Sequence, residues 1–339
     1  MPRLTPSPLA IAERWRVELE DYVVAVACDG GQVHVGLGGG GLVALEAVSG
    51  ARRWACTAHP GGVLALDARA TRVLSAGQDG SAALRSPAGQ VLAEVRASGR
   101  RAPWIEQAVI APDGRSFALG LGPVVQWHDE TGALRFAAPP LPSTVTGLAF
   151  RPGGGALAAC AYGGVRLFAL DALDAPRELS WKGSLLSLAW SPNAKVIACA
   201  SQDSSVHFWR LPSGADSEMS GYPGRIAVVT WDASSQLLAT SSDATLTLWD
   251  FAGRGPEGTR PIQLEGHLTK VTCAAFHPQK GLLASGSSCG EVRFFRPRAG
   301  RTPAAGVDLR ETPTVVAWAG DLLLVGTAEG CLVALGPSG

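Results

Sequence analysis

Residues 264–296 read LEGHLTKVTCAAFHPQKGLLASGSSCGEVRFFR, and three short apolar runs inside them decide the architecture. The first starts at Val271 and ends on Phe276, where His277-Pro278-Gln279-Lys280-Gly281 supplies the residues that break a strand. The second runs from Leu282 to Ser285 and is followed by Gly286 to Gly290. The third alternates as Val292, Phe294 and Arg296 before Pro297 closes it. Strands of about five residues separated by turn chemistry make one antiparallel unit, too small to fold without neighbours.

The neighbours emerge when the last apolar residue of the first strand is used as a marker. It recurs at Cys28, Ala68, Ile110, Phe150, Trp190, Trp231, Phe276 and Trp318, at intervals of 40, 42, 40, 40, 41, 45 and 42 residues. That spacing lies within the period of about 40 to 45 residues expected of a four-stranded propeller blade. The expectation is an all-β closed propeller of eight blades, seven being the alternative count. Residues 1–12, with Pro2, Pro6 and Pro8, form a loose tail, and residues 13–339 form one domain. The last unit, from Pro313 onward, shows three runs, while Arg14 to Leu19 alternates as a spare strand. Pairing the two completes the eighth blade and removes an exposed edge.

The chain resembles the WD-repeat family in Gly266-His267, in Trp249-Asp250 at the end of LLATSSDATLTLWD, and in Ser201-Gln202-Asp203 before VHFWR. First-strand endings such as AFRPGG, AWSPNA and AFHPQKG recur in the same phase. The first unit, with ALEAVSGARRW, and the last, with LLLVGTAEGCLVALG, are similar to quinoprotein-type propeller repeats. The WD-repeat resemblance implies a buried network in each blade, joining a His before the first strand, a Ser or Thr on the second, an Asp in the next turn and a Trp on the third. Here the His position runs Leu19, His59, Arg101, Leu141, Trp181, Tyr222, His267 and Leu309. His59 is expected to meet Asp79, with Arg85 in place of the Trp, and His267 to meet Ser285, with Cys289 and Phe295 in place of the Asp and Trp. Asp203 with Trp209, and Asp243 with Trp249, are retained without a His. Because the network is incomplete everywhere, packing between blades is expected to carry most of the stability.

Composition narrows the function. Of the 339 residues 46% are hydrophobic, and 29 basic residues balance 29 acidic ones, which argues against the basic footprint that nucleic-acid binding needs. The seven cysteines are scattered and never spaced as CxxC, so neither a zinc site nor a disulfide framework is expected. The start, MPRLTPSPLAIAERW, lacks signal-peptide character, and no segment approaches the ~18 apolar residues of a membrane span. A cytoplasmic monomer that binds neither membrane nor nucleic acid is the expectation.

Two motifs suggest chemistry. Gly36 to Gly41 fits GxGxxG, but a strand rather than a helix follows it, so it reads as an inter-strand turn. Gly286-Ser287-Ser288-Cys289-Gly290 fits GxSxG, again between strands, with only His267 near enough to act as a partner. Six histidines on different blades show no metal-ligand spacing. No catalytic residue, metal or cofactor is therefore assigned. The leading reading is a non-catalytic scaffold for an unidentified protein partner; the alternative is a quinoprotein-like propeller that binds a small ligand or cofactor. The resemblance implies docking at the face built from the loops that lead into each first strand and from the turns between second and third strands. On that face lie Tyr22, Trp104, Arg225 and Lys270 in the loops and Gln78, Tyr162 and Gln202 in the turns.

Overall fold

The computed structural model describes residues 9–98 and 103–338; Arg101 and the first eight residues of the expected tail lie outside the described residues. The short apolar runs form eight antiparallel sheets in chain order, and no helix occurs among the described residues. The first strands are Val23–Asp29, Val63–Arg69, Ile105–Ile110, Gly147–Phe150, Ala189–Trp190, Val228–Trp231, Val271–Phe276 and Pro313–Ala319. They face one another around the axis, and blade eight adjoins blade one, so the array is an eight-bladed propeller.

Second strands such as Leu283–Ser287 and Leu237–Ser241 are buried at every residue, whereas the outer strand Arg52–Thr57 is exposed along most of its length. A blade's inner part is covered on both faces by its neighbours, so the alternation of a half-buried sheet gives way to continuous apolar runs. The apolar core accordingly lies between blades. One cluster joins Cys273 and Phe294 of blade seven to Leu323 and Val325 of blade eight, and another joins Val23 and Val35 of blade one to Leu324 and Leu332 of blade eight. Close approach explains two glycines on second strands. A Cβ on Gly36 would sit 2.8 Å from Val63 Cγ1, and one on Gly326 would sit 2.4 Å from Val23 Cγ1.

The ring closes as expected. Strand Ile11–Glu18 lies antiparallel on Cys331–Pro337, from Ile11 opposite Pro337 to Glu18 opposite Cys331, with a bulge between Glu13 and Trp15. The strand begins at Ile11 rather than after residue 12, because Cys331–Pro337 is long enough to pair it and Leu9 and Ile11 pack on the core between blades seven and eight. A second tie crosses the same seam: Thr314 Oγ1 donates to Val23 O at 2.6 Å.

Blade four departs from the pattern of four separate strands. Its long element Ala156–Ala169 pairs through Leu157–Cys160 with Gly147–Phe150, and through Tyr162–Ala169 with Ala172–Ser184. Gly163 (φ 94°) and Gly164 (φ 130°) mark the change of partner, so one element fills the second and third strand positions.

Candidate interaction surface

Strand direction alternates within each blade, so the loops into first strands and the turns between second and third strands share one end of the ring. Backbone hydrogen bonds stitch these two sets of segments together. Gly38 N donates to Tyr22 O (3.0 Å), Gln78 N to Gly62 O (3.1 Å), Gln202 N to Ser184 O (2.9 Å) and Ser288 N to Lys270 O (2.9 Å). Tyr162 N donates to Ser143 Oγ at 2.9 Å. Five of the seven surface residues expected from sequence, Tyr22, Gln78, Tyr162, Gln202 and Lys270, thus stand on tethered backbone. Trp104 leads into Ile105–Ile110 and Arg225 precedes Val228–Trp231. Gln78 is half-buried; the other six are exposed.

The apolar members of this set matter most. Tyr22, Trp104 and Tyr162 are 46%, 52% and 52% exposed, and among the described residues they are the only large aromatics so exposed. Tyr22 lies over Gly38, where a Cβ would come within 1.9 Å of its ring. Tyr162 borders a small cavity of about 120 Å³ with Leu141, Pro142 and Arg166. Leu268, 85% exposed two residues before Lys270, joins the same end. Leu268 was not among the surface residues expected from sequence; its signal there is an aliphatic residue in a loop between two polar ones, His267 and Thr269.

Beneath this surface lie the blade networks, which are fuller than residue identity suggested. In blade two His59 Nδ1 is 3.1 Å from Asp79 Oδ1 and from Ser81 Oγ, and Ser81 Oγ donates to Asp79 Oδ2 at 2.6 Å. His59 Nε2 is 2.9 Å from Ser75 Oγ, which accepts from Arg85 Nη1 at 2.8 Å. Asp79 can only accept, so Nδ1 carries the proton and Nε2 accepts from Ser75. Arg85 thereby performs the Trp's task of donating to the second-strand hydroxyl. Burial holds the His59 imidazole below its ordinary pKa, consistent with a neutral ring.

In blade seven Ser285 Oγ is 2.7 Å from His267 Nε2. The carboxylate comes from Glu291 rather than from position 289: it accepts from Leu268 N (2.8 Å) and Ser287 Oγ (3.1 Å), and lies 3.4 Å from His267 Nδ1. In blade six the phenol of Tyr222 replaces the His, 2.7 Å from Thr240 Oγ1 and accepting from Trp249 Nε1 at 2.7 Å. Asp243 does not join it through a carboxylate contact; its backbone carbonyl accepts from Ser241 Oγ at 3.0 Å. Asp203 likewise accepts from Ser205 Oγ (2.7 Å) rather than reaching Trp209, because Trp181 occupies the His position and stacks on His207 at 3.8 Å. Trp209 meets the edge of that same imidazole at 4.4 Å.

The candidate chemical motifs resolve into turns. Gly36 to Gly41 spans the end of Gln32–Leu37, a turn with Gly40 at φ 95°, and the start of Gly41–Glu46. Ser288 Oγ donates to Thr269 Oγ1 at 3.1 Å, while among the described residues the only hydroxyl bonded to His267 is that of Ser285, so the GxSxG serine is not paired with that base. No grouping of three or more metal-ligating side chains occurs among the described residues. The axial wall at blades one to four encloses a polar cavity of about 440 Å³ that includes Asp67, Arg69 and Glu106.

Comparison with known proteins agrees with this architecture. The model of the family "WD domain, G-beta repeat" matches residues 177–210, 217–250 and 258–296, so WD40 repeats span the outer strand of blade four through the third strand of blade seven. Coronin-7 of Homo sapiens is 28% identical over 131 residues, 35% of this chain and 14% of that protein. Telomerase protein component 1 of Rattus norvegicus is 27% identical over 230 residues, 65% of this chain and 8% of that protein. WD repeat-containing protein slp1 of Schizosaccharomyces pombe is 23% identical over 180 residues, 51% of this chain and 36% of that protein. The chain thus aligns with only a small part of the length of these relatives. Among solved structures, the computationally designed Ika8 protein superposes with a TM-score of 0.79 over 96% of this chain and 99% of its own, at 19% identity. That likeness concerns the fold alone.

Proposed function

We propose that this WD-repeat propeller is a non-catalytic scaffold that binds a protein partner at the end carrying Tyr22, Trp104 and Tyr162. The observation that supports this reading is the gathering of the exposed large aromatics at one end of the ring, with Tyr22 and Tyr162 on backbone stitched between loops and turns. Aromatic and Arg side chains dominate binding energy when a partner desolvates them, and a tethered backbone lowers the ordering cost of docking. Gln78, Gln202, Arg225 and Lys270 supply the polar surround.

Changing Trp104 and Arg225 together to Ala removes two exposed side chains without touching the inter-blade core. The double variant should keep its circular dichroism spectrum and melting temperature, yet retain a native partner at least ~10-fold more weakly, which corresponds to about 1.4 kcal/mol. Undiminished capture by the folded variant moves the surface to the other end or the rim.

A further inference from the structure

We propose that the opposite end of the ring carries a second docking groove, between blades four and five, that accepts an acidic peptide segment with one aliphatic anchor. The groove encloses about 530 Å³, within the range of sites that hold several side chains. Its floor is apolar, with Leu167 and Trp190 on facing blades and Leu211 at the end of a blade-five strand. Three cations line its rim: Arg151 in the turn after Gly147–Phe150, Arg177 on Ala172–Ser184, and Lys195 just before Val196–Ala200. Among the described residues no carboxylate lines it.

The geometry gives these cations little to satisfy them within the chain. Arg177 Nη1 donates to Leu211 O at 3.2 Å, which spans the two blades and fixes the guanidinium at the rim. Arg151 and Lys195 are exposed and form no ion pair among the described residues. The acids of the same region are placed elsewhere: Glu178 pairs with Arg166 at 3.3 Å, Asp216 lies 3.0 Å from His207, and Asp171 and Asp174 do not line the groove. In a chain with equal numbers of acids and bases, three cations around an apolar floor form a local excess of charge.

An extended peptide places successive side chains on opposite sides, so an anchor can enter the floor while flanking carboxylates meet the rim. Carboxylates on Arg form charge-assisted hydrogen bonds, which favours this class over a neutral peptide. A nucleic-acid strand needs a basic stripe that follows its backbone, and here the cations surround a hydrophobic floor instead. This surface is independent of the aromatic end, and its test is separable from that of the scaffold reading.

The test uses the full chain and a short dye-labelled peptide, a leucine flanked on both sides by aspartates, followed by fluorescence anisotropy. Saturable binding is expected, weakened at least ~10-fold by Arg151→Glu with Lys195→Glu, by replacing the peptide's aspartates with asparagines, and by replacing its leucine with glycine. Trp104→Ala with Arg225→Ala should leave it unchanged. Absence of saturable binding overturns the proposal, as does equal binding of the glycine peptide. A single-stranded oligonucleotide that binds and is lost with the same charge reversals, while the peptide does not bind, overturns it in favour of a phosphate surface. Should the double Glu variant misfold, the two altered peptides against the unaltered protein still decide the matter.

Discussion

At the scale of single residues, the blade networks keep their chemistry while changing their members. Arg85 donates where the family places a Trp, Tyr222 stands where it places a His, and Glu291 supplies the carboxylate that Cys289 lacks. Position-by-position reading missed these because each substitute reaches the same atom from a different side chain. Histidine burial has a measurable consequence. The ring of His34 is buried against Trp54, with centroids 5.8 Å apart, and burial lowers its pKa to about 4, with Asp29 opposing the shift. Above its ordinary pKa of about 6.5 the ring is neutral in both folded and unfolded chains, so it adds no pH dependence there. Between about 6.5 and 4 the unfolded chain binds a proton that the native state refuses, so stability falls as pH falls, by about 1.4 kcal/mol per pH unit across that window. Replacing His34 with Leu should therefore flatten the decline of melting temperature between pH 6.5 and 4; an unchanged slope would assign the acid sensitivity to other groups. His59, His128, His207 and His267 are shifted the same way by burial and keep part of the slope in the variant.

At the scale of elements, the marker aromatics act as spokes from one blade to the one before it. Trp190 Nε1 donates to Ala149 O (3.2 Å), Trp231 Nε1 to Ala189 O (3.3 Å) and Trp318 Nε1 to Ala275 O (3.1 Å). Each acceptor immediately precedes the marker residue of its own blade, so the regular spacing seen in sequence is the step of a repeated contact. Replacing Trp190 or Trp231 with Ala should cost about 3 to 5 kcal/mol, read from chemical denaturation. A loss under about 1 kcal/mol would mean that the indole contributes no packing. Because the acceptor for Trp231 adjoins Trp190, the two losses should not add when combined. That threonines tie neighbouring blades as well was not legible: Thr146, Thr272 and Thr314 each bond a carbonyl of the next blade, and a lone Thr in a strand carries no sign of it.

At the scale of the whole molecule, stability depends on closing one seam with residues about three hundred positions apart. Strand Ile11–Glu18 completes blade eight, Trp15 Nε1 donates to Ala47 O of blade one at 3.0 Å, and Arg16 pairs with Glu311 at 2.7 Å. Deleting residues 1–20 removes all three contacts and bares the edge of Cys331–Pro337. The truncated chain should aggregate or melt at markedly lower temperature, as read by light scattering and calorimetry. A monomer with unchanged melting temperature would show that the ring holds through its inner strands, with Thr314 on Val23 sufficient at the seam.

The repeat period and the partner strand for the last blade were determined by sequence alone, and eight blades were the favoured count, with the structure deciding against seven. They follow from local rules, alternation and turn chemistry, applied at regular spacing. The candidate surface was legible as a set of loop positions, since strand alternation sends those loops to one end of any such ring. Tertiary structure alone decided which side chains complete each buried network, that Leu268 joins the exposed aromatics, and that Arg151, Arg177 and Lys195 surround one groove. These relations join residues whose separation in sequence bears no fixed relation to their separation in space, and only the packing of one blade on the next brings them within reach of each other.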